Sequence, residues 1–507
     1  MDDLQPLLLL LLLSTFVFFL FIILNKRSKN ARSSKTLPLP PGPKKLPIIG
    51  NMHQLAGGGP LLPHQMLMEM AKKYGPLMYL QLGAVPTLII SSPEMAKEAL
   101  KTHDAIFADR PYFISSSVMS YDSKNIVFAP YGDYWRQLRR ICIQELLSPK
   151  RVQSFRSIRE DEIQNLVRWM RTQAGKQINF TKKIFDLTYS VTARAAFGKI
   201  VKRQDEFVDL MTENFRISGG FDLGDMYPSL PILSRLSGYR PKLEKLHKQS
   251  DEILQGIIDD HVENPNTDLS HEDLVDVLLR IRKAGDLDVP LTDAHIKAVL
   301  LDIFTAGSET SSTTVGWAMS EMLKQPIILK RAQEEVRKVF KEKGKMDETT
   351  LEELHFLRAV IKETLRLHPP VALLVPKQNS ESCNINGYHI PAKMKVLVNA
   401  YAIGRDANYW TNAERFDPQR FLEAKIDFKG NDFGFIPFGA GRRICPGITF
   451  AMFNLELPLS QLLCHFDWAL PDGKASEELD MAEGPGFTVG RLTDLVLVPT
   501  TPHYYDN

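Results

Sequence analysis

The chain reads as a mainly α-helical protein with a minor β region, one large domain behind an N-terminal transmembrane helix. Three observations lead there. From Pro93 to Leu367, apolar residues recur at i, i+3 and i+4, the period of a half-buried helix, and only short strand-like runs flank that stretch. After Ile48 no second linker and no repeat period of about 20–50 residues divides the chain. Leu7–Leu24 is an 18-residue apolar run whose only polar members are Ser14 and Thr15.

Composition and charge narrow the function before any motif does. At 507 residues, 44% hydrophobic and 24% charged, the chain can bury a large core and is neither disordered nor fibrous. Its 62 Lys and Arg against 60 Asp and Glu leave +2, so no overall field draws in nucleic acid. Cys142, Cys383, Cys445 and Cys464 are too few and too scattered for a disulfide framework or a zinc site, which fits a reducing compartment.

The apolar run spans roughly 27 Å as a helix, close to the hydrocarbon thickness of an endoplasmic-reticulum bilayer. Asp2 and Asp3 precede it; Lys26, Arg27, Lys29, Arg32 and Lys35 follow it. The positive-inside bias then leaves residues 1–6 in the lumen and 7–24 as a single-pass anchor in the endoplasmic reticulum membrane. Residues 25–47 form a basic and Pro-rich linker, and 48–507 a cytosolic domain. A cleaved signal peptide fits less well, because the leading residues are acidic and no small-residue cleavage site follows. Leu37-Pro-Leu-Pro-Pro-Gly-Pro43 fixes φ and removes amide donors, so it reads as a stiff spacer orienting the domain on the membrane.

Within the domain, Leu77–Leu82, Gly83-Ala84 and Thr87–Ser91 read as a short early β region, and Tyr388–Ile390 and Lys395–Asn399 as a second. Asp133 is placed to cap a helix through Trp135 and Arg139 that Pro149 stops. Thr292 is placed to cap another that runs to about Gln325, where Pro326 ends it. At over 30 residues this helix would be roughly 50 Å long and would cross the domain.

The segment richest in chemistry is Pro437-Phe-Gly-Ala-Gly-Arg-Arg-Ile-Cys-Pro-Gly447. Pro446 at a first helical position and the apolar run Ile448–Phe466 place Cys445 at a helix N-terminus, where free amides and the helix dipole favour a thiolate. Gly439, Gly441 and Gly447 let backbone approach a bulky planar group, and Arg443 adds a cation suited to a cofactor carboxylate. A soft thiolate in such a loop is a fitting axial ligand for haem iron. A buried structural cysteine is the plain alternative; a phosphate loop is not, since the order strand, glycine loop, Lys-Ser/Thr is missing. On the long helix, Ala306, Gly307, Ser308 and Thr310–Thr314 cluster small and hydroxyl side chains. They leave a groove, and their hydroxyls can bond backbone carbonyls and locally open the helix, or mark a merely kinked packing helix.

Phe438-x-x-Gly441-x-Arg443-x-Cys445-x-Gly447 resembles the haem-binding signature of the cytochromes P-450, the haem-thiolate monooxygenases. Ala306-Gly-Ser-Glu-Thr310 resembles the family's oxygen-activation motif, and Glu363-x-x-Arg366 its Glu-x-x-Arg pair. Pro418-Gln-Arg-Phe421 resembles the segment carrying that pair's third partner, and Trp135-x-x-x-Arg139 the helix that holds a haem propionate. All occur in family order over essentially the whole chain, and the likeness is strongest to the plant microsomal group containing limonene and sesquiterpene hydroxylases.

The resemblance implies a cytochrome P-450 fold, haem b (iron protoporphyrin IX) with Cys445 as axial thiolate, and O2 and NADPH-derived electrons as co-substrates. It makes Thr310 and Glu309, with Ala306 and Gly307, the oxygen-activating residues; Glu309 stands where Asp is commoner. Arg443, Trp135, Arg139, Arg110 and Lys377 become propionate contacts, Lys377 standing where Arg or His is usual, and Phe438, Gly439 and Gly447 flank the cofactor. Glu363, Arg366 and Arg420 form a buried triad holding the loop before Cys445, although Gln419 and Ala413 depart from the usual Glu and Pro. Phe113, Leu300, Ile303, Val371, Ala372, Leu373, Leu374 and Phe487 line an apolar substrate pocket.

The implied partner is an NADPH–cytochrome reductase, with cytochrome b5 as a second donor, and Arg136, Arg140, Lys150 and Arg151 form the basic face expected to dock it. The implied activity inserts one oxygen atom into a lipophilic plant metabolite, a terpenoid by the group resembled, through hydroxylation or epoxidation. A haem-dependent hydroperoxide lyase or synthase needing no O2, and a non-catalytic membrane lipid-binding protein, are the other readings.

Overall fold

A computed structural model of the chain describes residues 14–15, 37–56, 61–198, 203–218, 222–266, 268 and 272–502. The expected lumenal residues 1–6, the anchor 7–24 apart from Ser14 and Thr15, and linker residues 25–36 lie outside the described residues. No helix among the described residues is long and apolar enough to cross a membrane.

Helices dominate. The five that build the site are α1 (Asp133–Ile141), α2 (Phe180–Phe197), α3 (Asp293–Lys324), α4 (His355–Leu367) and α5 (Ile448–His465). With 32 residues, α3 is roughly 48 Å long. It begins after Thr292, whose amide donates to Nδ1 of His295 at 3.0 Å, and it stops before Pro326, whose ring forbids continuation. Residues Ile296–Thr305 of α3 are buried all round, as a helix through the centre of a large core must be. It packs on α2, α4 and α5, and their apolar faces merge into one cluster that includes Phe304, Val315, Leu357 and Leu459.

The largest sheet of the minor β region is four-stranded, in the order β1 (Leu77–Leu82), β2 (Val85–Ile90), β4 (Lys395–Val398), β3 (Lys377–Gln378). The expected strand Tyr388–Ile390 pairs instead with Cys383–Ile385 in a separate two-stranded sheet, and a three-stranded one joins Ile178–Asn179, Val496–Thr500 and Asp467–Ala469. β1 and β2 are antiparallel around Gly83-Ala84, β2 runs parallel to β4 with Ile90 opposite Val398, and β3 returns antiparallel. Gly83 has φ +59, and a Cβ there would meet the Met226 carbonyl at 2.8 Å, so the turn requires glycine. The expected second strand therefore begins at Val85 rather than Thr87. Asn399 leaves β4 and caps the next turn by accepting from the Ala402 amide at 3.0 Å.

Three other local expectations are corrected. Asp133 is the first residue of α1 rather than its cap, and the helix passes into a wider turn, Cys142–Leu146, before Pro149 starts a new helix capped by Ser148. Pro446 precedes the Gly447 cap of α5 instead of occupying its first turn, so Cys445 lies two residues before that cap. The Pro-rich stretch does not stand off as a spacer where it is described: the carbonyls of Pro38 and Pro41 accept from the amides of His389 and Tyr79, each at 2.8 Å, docking it along the sheet.

Candidate active site

The segment leading into α5 is folded by glycine. Gly439 and Gly441 both have φ +72, and a Cβ on Gly441 would lie 2.3 Å from the Leu100 carbonyl, so no other residue fits there. The Cys445 amide donates to the Phe438 carbonyl at 3.0 Å, closing the loop and directing the sulfur into a cavity of about 330 Å³. Burial raises the Cys445 thiol above its ordinary value, against the opposing pull of the Gly447 amide and Arg139. Burial thus opposes the thiolate that the helix end, the Gly447 amide and Arg139 favour, and a coordinated cation would favour it further.

The same cavity collects Arg110, Arg139, Lys377 and Arg443. Three of them spend donors on backbone: Arg110 on Val127, Val375 and Pro376 at 2.7–2.8 Å, Arg139 on Ile444 at 2.5 Å, and Arg443 on Ala108 and Ala129 at 2.6 Å. Lys377 Nζ is buried with no partner, and burial together with Arg110 and Arg443 holds it well below the usual lysine value. Burial likewise lowers Arg443 to about 10. Trp135 donates its indole N–H to the Ile126 carbonyl at 3.1 Å and lays its ring under the Arg443 guanidinium at 4.4 Å, so its contact in this structure is the cation rather than an anion. Buried cations, one of them an orphan, call for an anionic ligand. A planar cofactor carrying two carboxylates and an iron atom matches this donor set, with Cys445 for the metal and the cation cluster for the carboxylates.

Along the α3 wall, Ile303, Ala306, Gly307 and Thr310 reach the cavity. The hydroxyls of Thr305, Ser308, Thr310, Ser311 and Thr314 each bond the carbonyl four residues back at 2.5–2.9 Å. The helix nevertheless stays continuous; the expected opening is absent because each hydroxyl adds a bond without displacing the ladder. Glu309 points elsewhere: it does not line the cavity, its carboxyl lies 3.5 Å from the Tyr189 hydroxyl on α2, and burial raises it to about 7.

The residues expected as a substrate wall divide between the cavity and the packing around it. Ile303, Val371, Leu374 and Phe487 line the cavity, but Phe113, Leu300, Ala372 and Leu373 do not. Leu300 is fully buried, a position away from the Leu301, Thr305 face that lines the cavity. Phe113 lies against Phe128 and under the Lys395 ammonium, and Leu373 packs on the sheet near Met226. Within this segment the turn at Leu374, with φ +48, leaves Val371 and Leu374 on the cavity side and Ala372 and Leu373 off it.

Sequence reasoning missed Asp302, the one carboxylate among the residues lining this cavity. Burial raises it to about 7, while the Asn125 side chain at 2.6 Å and the Val127 amide at 3.0 Å stabilise the anion. It fastens loop 125–127 to α3. An acid one helical turn before Ala306, on the cavity-facing stripe, was the available signal.

Away from the cavity, Arg366 pairs with Glu363 through two bonds of 2.7 Å and donates to the carbonyls of Gly404 and Ala413, with both charged side chains fully buried. Arg420 Nε adds a 3.0 Å bond to the same carboxylate. Of the basic face, Arg136, Arg140 and Lys150 are exposed, whereas Arg151 is turned inward onto Glu272 at 3.1 Å and drops out.

Fold and site together define a haem-thiolate protein. The family model for Cytochrome P450 matches residues 40–498, and the chain belongs to that family. It is 52% identical over 488 residues to tabersonine 16-hydroxylase 1 of Catharanthus roseus, covering 94% of this chain and 95% of that protein. It is 50% identical over 484 residues to premnaspirodiene oxygenase of Hyoscyamus muticus, covering 94% and 96%. Against desmethyl-deoxy-podophyllotoxin synthase of Sinopodophyllum hexandrum the identity is 51% over 487 residues, covering 95% and 96%. A zebra fish cytochrome P450 structure with abiraterone shares the fold, with TM-score 0.75 and 23% identity over 88% of this chain and 100% of that one. The chain is thus a P450 monooxygenase of plant secondary metabolism.

Proposed function

We propose that this monooxygenase is membrane-anchored and draws electrons from NADPH through a reductase to hydroxylate or epoxidise a terpenoid. The observation that carries the reading is the meeting in one cavity of Cys445, the small-residue segment of α3, and a buried cation cluster whose Lys377 has no protein partner. Cys445 would hold the iron; Arg110, Arg139, Lys377 and Arg443 would hold the propionates; Phe438, Gly439 and Gly447 would border the ring. An iron porphyrin supplies reductive O2 activation, which no side chain performs.

The rest is the work of this chain's residues. The Thr310 hydroxyl, 2.7 Å from the Ala306 carbonyl, can rotate to present its proton to the cavity. Glu309, buried and raised to about 7, can take up and release protons near neutrality, with Tyr189 as its neighbour. Ile303, Val371, Leu374, Phe450 and Phe487 exclude water and orient a hydrocarbon by shape, which supports a terpenoid. The apolar run Leu7–Leu24 with its basic flank supports the anchor, and exposed Arg136, Arg140 and Lys150 support reductase docking.

Microsomes holding the enzyme and a plant reductase, reduced under carbon monoxide, should show the red-shifted Soret band of a thiolate-ligated haem, and Cys445→Ala should abolish it. NADPH-dependent products from a panel of mono-, sesqui- and diterpenes, with indole alkaloids as comparison, would assign the substrate. A normal band in Cys445→Ala, or turnover of hydroperoxides without NADPH, would overturn the reading.

A further inference from the structure

Two wall segments of the cavity are tied to a buried charge network that the oxygenase chemistry does not use. The antiparallel bridge Glu483–Arg491 and the 2.8 Å bond from the Gly484 amide to the Gly490 carbonyl close a short loop. Near its tip, Phe487 enters the cavity and meets Phe215 edge-on at 5.9 Å. At the base of the loop, Glu483 accepts from His64 and Gln65 of the N-terminal helix Pro63–Tyr74, both at 2.7 Å. Its second oxygen lies 3.7 Å from Nδ1 of His368. His368 follows α4 directly and precedes the wall residues Pro370 and Val371. Its other nitrogen bonds Glu321 of α3 at 2.7 Å, and its ring stacks on Trp317 at 4.1 Å. The Val489 amide donates to the Pro370 carbonyl at 2.8 Å, so the Phe487 loop and the Val371 segment are also joined to each other.

The four ionisable side chains are between 4% and 11% exposed. Burial alone would raise the Glu483 carboxyl, but the imidazoles of His368 and His64 outweigh it and hold it at about 2. A structure needing only packing at this place would be built more cheaply from apolar side chains, because buried pairs offset most of their own desolvation. What directional hydrogen bonds add is register, and the register here is that of two cavity walls.

We propose that His64, Gln65, Glu483, His368 and Glu321 act as positioning residues that set the gap between Phe487 and Val371, and so decide which bulky ligands the cavity admits. The inference rests on the monooxygenase reading in that its probes report through haem. Glu483→Gln removes the charge facing His368 and turns one of the two acceptor oxygens into an amide donor, so the contact with His64, Gln65 and His368 must rearrange, and a short loop passes that displacement to its tip. An error of about 1 Å at a binding wall is enough to change productive fit strongly.

The ferric full-length enzyme, titrated with imidazole and with clotrimazole and read by the Soret shift, separates wall from iron. Imidazole needs only the iron; clotrimazole carries three aromatic rings that must fit the walls. Glu483→Gln should weaken clotrimazole about tenfold and imidazole by less than about twofold. In a Phe487→Ala background the same substitution should add nothing, since the element it positions is gone. Gln65→Leu, which removes one donor and keeps every charge, should shift clotrimazole in the same direction by about threefold, and it carries the test if Glu483→Gln does not fold. Equal weakening of both probes, or a persisting effect of Glu483→Gln without Phe487, would overturn the positioning role. A Soret band that moves with neither probe would overturn the haem reading, and the inference with it.

Discussion

Around Cys445 the chain solves its polar problems with backbone: Gly439 and Gly441 take left-handed conformations, the Cys445 amide closes on Phe438, and Arg443 spends its donors on the main-chain carbonyls of Ala108 and Ala129, distant in sequence. Where α3 and the loops close the cavity, the pairing runs instead through side chains far apart in sequence, Asp302 with Asn125 and Glu483 with His64 and His368. The difference teaches where rigidity is needed. A ligand-bearing sulfur must sit at one place whatever the substrate, so its support runs through main-chain groups, several of them at once. Walls that select a substrate are held by a few long-range contacts, which single substitutions can retune.

That contrast can be broken most forcefully at the triad. Arg366→Leu leaves Glu363 fully buried with Arg420 alone, and should cost roughly 3–5 kcal/mol. The urea midpoint of the variant would fall accordingly, with little folded haem protein recovered; an unchanged midpoint would show that Arg420 and the Asp417 amide hold the Glu363 carboxylate without Arg366. Thr310→Ala should keep the thiolate Soret band but lower coupled product formation about 10²-fold, NADPH consumption continuing with release of hydrogen peroxide. Normal coupling would remove Thr310 from proton handling.

Lys377→Met sharpens the comparison because its two effects have opposite signs. Removing an unpartnered buried cation should stabilise the haem-free protein by about 1–2 kcal/mol, while haem retention on dilution falls. Loss of both would make Lys377 a structural residue.

The smallest effect is a pH dependence. Burial raises the Asp302 carboxyl to about 7, so above the unfolded value of roughly 4 the folded state binds the extra proton. Its contribution to stability is therefore fully present below about pH 4, declines between 4 and 7, and is level beyond. Asp302→Asn should flatten that decline in urea midpoints measured across the range. Parallel curves for the two proteins would show that the loop clamp does not titrate.

Much of this was legible in one dimension. The length of α3, the β region around Gly83-Ala84 and the glycine-rich loop before Cys445 follow from period, punctuation and spacing within a few residues of chain. The burial of the Glu363–Arg366 pair was implied only by the family resemblance, since spacing alone suits a solvated surface pair. Helix starts were less so: Asp133 and Pro446 are each displaced by a residue or two from the positions their side chains favour, because packing outweighs a cap worth about 1 kcal/mol. The substrate wall was legible only in part. Leu300 and Leu373 are as apolar as Ile303 and Leu374, and nothing in composition says which side of a helix or turn meets the cavity.

By itself, then, the sequence determined the class of fold and the long helix beside the cavity, since each is written in neighbouring residues whose physics is local, while only its resemblance to a family singled out Cys445 as the metal-binding sulfur. Tertiary structure alone decided that burial raises the Cys445 thiol, that Lys377 lacks a partner among the described residues, that Glu309 turns toward Tyr189, and that Asp302 and Glu483 fasten the walls. Those outcomes depend on burial and on partners tens to hundreds of residues away, and desolvation has no signature in a linear string.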